Sequence, residues 1–129
     1  MKENKSKNLQ VEDVPSFSEI KNRDSTVFIC SLGTKKVGSI SATLVGINTY
    51  SVGGFFVDPS QRGHHVGSEL LKLVNKFLER NNSLGKLVNT IRGDAAGTYE
   101  SNGWKKGEFK SQDAYGGYEY TYDGRKGSK

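Results

Sequence analysis

Twelve consecutive residues, Val57-Asp58-Pro59-Ser60-Gln61-Arg62-Gly63-His64-His65-Val66-Gly67-Ser68, gather side chains suited to holding an anion just ahead of a helical pattern. The stretch runs from a strand end through a glycine-containing turn into a helix start. Unpaired N–H groups and the positive end of a helix dipole converge at such a place, which makes it a site for phosphate or pyrophosphate. Glycine lets the backbone approach the anion closely, and Arg62 adds a charge. The stretch lacks the Lys-Ser or Lys-Thr ending of a P-loop, and it is not the dinucleotide fingerprint. Arg62, Gly63, His64, His65, Val66, Gly67 and Ser68 are therefore candidate anion-binding residues, with a solvated turn as the plain alternative.

The elements that must position this stretch are legible on either side of it. Residues 26–32 (TVFICSL) and 37–45 (VGSISATLV) are β-branched and apolar, with Gly33-Thr34-Lys35-Lys36 between them, and predict a hairpin. Residues 50–57 (YSVGGFFV) predict a third strand, in which Gly53-Gly54 marks a bulge or a close backbone approach and after which Pro59 ends the run. From Ser68, the positions of Leu70, Leu71, Val74, Phe77 and Leu78 follow a helical period, and Asn81-Asn82 and Gly85 stop it. Residues 86–92 read as a strand, and Asp94 as the N-cap of a short helix to Ser101 closed by Asn102-Gly103. Residues 104–110 and 117–123 read as two last strands, the latter with Tyr118, Tyr120 and Tyr122 on one face. This order implies an α/β fold with a mixed sheet.

Composition narrows the function classes. The chain has 129 residues, 19 Lys or Arg, 14 Asp or Glu, and a single cysteine, Cys30, which reads as a buried strand residue. Residues 1–8 and 124–129 hold the whole excess of positive charge, which leaves 13 bases and 13 acids between them. The expected organisation is one domain over residues 9–123 between two flexible basic tails, 1–8 and 124–129. A neutral body argues against a nucleic-acid binder. The opening residues lack an apolar segment of signal-peptide type and no run approaches the roughly 20 apolar residues of a membrane span, so a cytoplasmic location without membrane attachment is expected. Neither Cys30 nor the two histidines form a metal-ligand pattern. Nothing in the sequence sets the oligomeric state, and a dimer is compatible with it.

With these residues in view, the sequence resembles the GNAT family of N-acetyltransferases. The stretch from Val57 to Leu71 is similar to that family's acyl-CoA motif, V-x-P-x-x-R-G-x-G-x-G followed by an amphipathic helix. Ala95 to Trp104, with Tyr99-Glu100-Ser101-Asn102-Gly103-Trp104, is similar to its A-x-x-x-Y-E-K-x-G-F segment. The resemblance spans residues 50–104. It implies a mixed, mostly antiparallel sheet with flanking helices, acetyl-CoA as co-substrate and a primary amine as acceptor; no metal is expected, and a short N-terminal region that leaves the acceptor side open favours a protein or peptide amine. The alternative is a weakly active or inactive module that binds acyl-CoA or a protein.

The resemblance also distributes roles. Phe55, Phe56 and Val57 would pair with pantetheine as an added strand does, and the backbone N–H near Phe55 would stabilise the oxygen that gains charge when the amine attacks. The amides from Arg62 to Ser68 would hold the pyrophosphate, and Tyr99 would protonate the departing thiolate. Asp58 and His64 are candidates for the general base, beside deprotonation through water. Three departures carry expectations of their own. His65 stands where the family's loop has glycine, so its ring should crowd the loop. Arg92 stands where the family often has Asn, and Gly97 weakens the helix that holds Tyr99. The short N-terminal region leaves room for one edge strand and a helical turn or two around residues 15–22, where the family has two helices, so the acceptor side should be open.

Overall fold

The computed structural model describes residues 14–90, 96–112 and 115–126. Seven strands, β1 (Ser16–Asn22), β2 (Ser25–Leu32), β3 (Lys35–Gly46), β4 (Thr49–Val57), β5 (Leu84–Thr90), β6 (Lys105–Gln112) and β7 (Tyr115–Asp123), form one sheet in the order β1-β2-β3-β4-β5-β7-β6. All neighbouring pairs are antiparallel except β4 and β5. Two helices, α1 (Val66–Arg80) and α2 (Ala96–Ser101), and a 3-10 turn (Pro59–Gln61) complete it. The expected Arg92 and Asp94 features lie outside the described residues.

The core follows from two periodicities meeting. In β2, Thr26, Phe28 and Cys30 are buried and alternate with half-buried neighbours, while α1 buries Leu70, Leu71, Val74, Phe77 and Leu78 on one side. Removing a Leu-sized side chain from water contributes about 1.5–3 kcal/mol. The helical stripe and the sheet face thus drive each other's burial. Burial also pushes the Cys30 thiol above its ordinary value.

Both helices lie on the same face of the sheet. The other face of β1 to β4 carries Ser18, Ser25, Ser39, Ser41, Thr43 and Ser51, brought together by the register, with Ile20, Val27 and Ile29 among them. Ser25 and Thr43 share a hydrogen bond of 2.8 Å across that face. No described helix covers it. Small hydroxyl residues at these alternate positions explain how it stands in water.

The helical turns expected around residues 15–22 are not there. Ser16–Asn22 forms β1 in full register with β2, joined to it by Arg23-Asp24 alone, with Arg23 at φ 51. A two-residue hairpin leaves no chain for a helix. Two boundaries also differ. The helix begins at Val66 rather than Ser68, because its N-cap, His65, is left-handed and makes no side-chain cap bond, so no Ser, Thr, Asp or Asn marks the start. Gly85 is not a helix stop but lies within β5: a Cβ there would come within 2.6 Å of Leu78 Cδ1 and 3.0 Å of Trp104 Cη2. The helix is closed instead by Asn81 and the left-handed Asn82, φ 52. After β7, Gly124 N–H donates to Ser83 O (2.9 Å) and Lys126 N–H to Asn82 Oδ1, so the chain stays docked there.

Candidate functional site

The site begins where β4 leaves β5. The two strands pair in parallel only from Thr49 to Ser51, against Leu84 to Lys86. Beyond Ser51, β4 keeps its partner β3 on one side and has none on the other among the described residues. Its edge from Val52 to Val57 is therefore without a strand partner on that side among the described residues, which is the geometry that accepts an extended ligand.

A bulge on β4 decides which side chains line that edge. Ser41 pairs with Gly53 and Ser39 with Phe56, so β4 inserts one extra residue. Gly54 absorbs it at φ 62, and Ser41 Oγ donates to Gly53 O at 3.2 Å. An inserted residue reverses the alternation that follows. Val52 faces the helices; after the bulge Phe55 and Val57 face them too, while Phe56 points to the opposite face and is 42% exposed. The Gly53-Gly54 pair thus marks a bulge, as its composition predicts.

The turn after β4 is built by Asp58. Its Oδ1 accepts from Ser60 N–H (2.9 Å) and Ser60 Oγ (2.7 Å), and Lys35 Nζ lies 3.7 Å from its Oδ2. The Ser60 hydrogen bonds, with Lys35 a lesser cause, hold this carboxyl below the usual carboxylate range. A carboxylate committed to capping and made less basic is poorly suited to accept a proton, so the structure gives Asp58 a structural role. The chain then passes Gly63 at φ 86 and His65 at φ 64 into α1. Arg62 Nε reaches back to Val57 O at 3.3 Å. A Cβ on Gly67 would lie 3.0 Å from Phe55 Cζ, so glycine there lets the first turn of α1 rest on β4.

The second wall is α2. Asn102 Nδ2 donates to Ser68 Oγ (3.1 Å) and Thr98 O (2.8 Å), and Asn75 Nδ2 donates to Asn102 O (2.9 Å). Trp104 Nε1 donates to Asn75 Oδ1 at 2.8 Å in a buried bond. Gly103, at φ 88, closes the helix where Asn102-Gly103 predicts. Between the walls lies a cavity of about 420 Å³ lined by Phe55, Val57, Gln61, Arg62, Gly63, His65, Val66, Gly67, Ser68, Gly97, Thr98 and Ser101. That volume is in the range of small-ligand sites.

Tyr99 backs the wall at Phe55. Its ring is 6% exposed and packs against Phe55, Trp104 and Tyr120 with centroids at 5.8, 6.3 and 5.5 Å. Burial, with a smaller effect of Tyr120, pushes its phenol up to about 12. Its hydroxyl makes no hydrogen bond among the described residues, yet no buried side-chain oxygen or nitrogen there lacks a partner. The ring is thus enclosed while the oxygen remains reachable.

Of the residues singled out in the sequence, Phe55, Val57, Arg62, Gly63, His65, Val66, Gly67 and Ser68 converge on the cavity. Phe56 and His64 are not among its lining residues, and neither is Tyr99, which lies behind Phe55. Gln61, Gly97, Thr98 and Ser101 line it without having been assigned to the site from the sequence. The signal for the last two was present: hydroxyl residues three apart share one face of a helix. Of the tyrosine stripe, Tyr120 is buried and bonds Glu100 Oε2 at 3.0 Å, Tyr122 bonds Glu79, and Tyr118 is exposed under Lys106 Nζ, 4.1 Å from its ring centre.

Comparison with known proteins points one way. Residues 23–106 match the family model of the acetyltransferase (GNAT) domain. No curated protein matches the sequence. Among solved structures, the ribosomal-protein-S18-alanine N-acetyltransferase from Escherichia coli superposes with a TM-score of 0.70 at 17% identity, over 81% of this chain and 72% of that one. An aminoglycoside 6'-N-acetyltransferase complexed with coenzyme A gives 0.69 at 14%, over 80% and 74%. The IAA acetyltransferase from Bacillus cereus gives 0.72 at 9%, over 85% and 99%. At these identities the structures share the fold. The family match covers well over half of the chain, and with the split sheet, the glycine-bearing loop and the second helix in place, the chain belongs to the GNAT acetyltransferases.

Proposed function

We propose that this acetyltransferase moves an acetyl group from acetyl-CoA to a primary amine carried by a peptide or protein. The observation that carries the reading is the unpaired edge of β4 after Ser51, which opens beside the cavity at the start of α1. The residues present fit coenzyme A. The β4 edge offers donors and acceptors to the pantetheine amides, the left-handed Gly63 and the Cβ-free Gly67 leave the loop backbone accessible to pyrophosphate, and Arg62 adds charge.

Acetyl-CoA supplies the acyl group as a thioester; the protein supplies position and electrostatics. The Phe55 N–H is assigned to the thioester oxygen, on which charge grows as the amine attacks. Tyr99 is assigned to the sulfur. A phenol near 12 keeps its proton at neutral pH and is a weaker acid than a thiol near 8.5, so its contribution is chiefly a hydrogen bond donated to the leaving sulfur. Such a reaction needs no covalent enzyme intermediate, since holding both reactants in register lowers the barrier.

The uncovered face sets the acceptor class. α1 and α2 occupy one side of the sheet at the cavity, so the acceptor approaches the split from the other, where Arg23-Asp24 is the whole connection between β1 and β2 and no described helix narrows the approach. An unenclosed approach suits an amine on a large body. Free-thiol release from acetyl-CoA, measured with peptides bearing N-terminal or lysine amines and with small diffusible amines, tests this. Higher kcat/KM for peptides is expected; higher values for small amines would overturn the acceptor class. Binding of acetyl-CoA without turnover of any amine would overturn the enzyme and leave a noncatalytic acyl-CoA-binding module.

A further inference from the structure

The two edges of the sheet are treated differently. At one, β6 is irregular, with a register shift between Lys106 and Phe109, and bulges of this kind discourage pairing with other chains. At the other, β1 pairs with β2 over seven residues without a bulge, contains no proline and has every side chain exposed. Among the described residues nothing pairs with its outer edge. A regular, unblocked edge is a template for a further strand.

The sequence of β1, Ser16-Phe-Ser-Glu-Ile-Lys-Asn22, is complementary to itself. Antiparallel pairing of two copies about Ile20 sets Glu19 opposite the partner's Lys21, Lys21 opposite the partner's Glu19, Ser18 opposite the partner's Asn22, and Ile20 opposite its counterpart. Opposite charges facing across strands stabilise such a pair, and like charges destabilise it. Moving the centre to Glu19 or Lys21 would set like charges face to face, and no other centre within β1 sets Glu19 opposite Lys21, so charge favours the register centred on Ile20. The pairing is prepared in the monomer: Arg80 Nη2 holds Glu19 Oε2 at 3.2 Å, and Lys21 has no ion pair among the described residues. Ile20, 52% exposed, sits beside Val27 on the uncovered face, and pairing would shelter it.

We infer that β1 is the dimerisation edge of this protein, and that its partner is the β1 of a second copy, antiparallel and centred on Ile20, which joins the two sheets into one. The inference is independent of the acetyl-transfer reading. A single strand pair buries little surface, so the association is weak and is to be sought up to about 100 μM.

Sedimentation velocity on the full chain tests it with two charge reversals. The wild type is expected to dimerise as concentration rises. Glu19→Lys and Lys21→Glu, each confirmed as folded by circular dichroism, are each expected to weaken self-association at least about tenfold, because each sets like charges opposite one another. Mixed together, the two variants are expected to associate again, since every facing pair is then of opposite sign. A wild type that stays monomeric throughout that range overturns the inference. So do single variants that dimerise like the wild type, or a mixture of folded variants that stays apart.

Discussion

Trp104 Nε1 and Asn75 Oδ1 meet at 2.8 Å inside the protein, and the same Asn75 donates through Nδ2 to Asn102 O at 2.9 Å. One side chain in the third turn of α1 thereby fixes both the end of α2 and the ring behind Tyr99. The cavity lies between these helices, so its width depends on a buried polar pair rather than on apolar packing alone. Asn75→Leu leaves the indole donor and a carbonyl without partners. The expected loss is about 1–3 kcal/mol for each group stranded, read from urea denaturation. Trp104→Phe added to the Asn75→Leu variant should cost less than the same change in the wild type, because only the lost packing of the ring remains; full additivity of the two changes would show that the bond does not couple them.

His65 is the left-handed residue at the start of α1, φ 64, on the wall of the cavity. A side chain with a Cβ in that region costs about 1–2 kcal/mol. Part of this returns on substitution by glycine, offset by glycine's greater freedom when unfolded. His65→Gly should therefore stabilise the fold by about 0.5–1 kcal/mol and tighten coenzyme A binding by removing a ring from the wall. Weaker binding in calorimetry would show instead that the imidazole contributes to holding phosphate.

Tyr99→Phe retains the ring against Phe55, Trp104 and Tyr120 and removes only the hydroxyl. The expected result is a fall in kcat of about 10²–10³ with coenzyme A affinity nearly unchanged, the size of effect seen when one positioned donor is lost. A chemical step in single-turnover experiments as fast as in the wild type would remove Tyr99 from the mechanism.

The same phenol predicts how stability depends on alkali. Tyr99 and Tyr122 are pushed up to about 12, each first by burial, then Tyr99 by Tyr120 and Tyr122 by its bond to Glu79. In the unfolded chain tyrosine loses its proton near 10. Between about pH 10 and 12 the unfolded state therefore binds fewer protons than the folded one, and stability falls as pH rises, whereas below about pH 10 the contribution is fully present. Denaturation midpoints across this range should drop less steeply for Tyr99→Phe than for the wild type. Equal slopes would mean that the folded phenol titrates as freely as the unfolded one.

How much of this was legible in the sequence depends on the range of the interaction. Leu70, Leu71, Val74, Phe77 and Leu78 announce α1 by spacing alone, and all five are buried. The loop from Arg62 to Ser68 is equally plain, because strand end, glycine turn and helix start are contiguous. The bulge at Gly54 was visible as composition, but its consequence was not: which face Phe55 takes depends on the register with β3, set by residues a dozen positions away. The β1 strand was obscured because Ser16–Asn22 is exposed on every side chain and its conformation is decided by pairing with β2. Thr98 and Ser101 show by spacing that they share a helix face, but that this face borders the start of α1 depends on the Asn102 to Ser68 contact, which no local pattern contains.

The most direct test of the account is a calorimetric titration of acetyl-CoA into the wild type and into Gly67→Asp. A Cβ on Gly67 would lie 3.0 Å from Phe55 Cζ, so glycine lets α1 rest on β4, and a carboxylate there would crowd the cavity and repel the pyrophosphate. The wild type should bind one equivalent saturably, and the variant should bind at least about tenfold more weakly, a difference of about 1.4 kcal/mol or more. A wild type that does not bind acetyl-CoA, or a folded variant that binds it equally well, would contradict the placement of the acyl donor between β4 and α1.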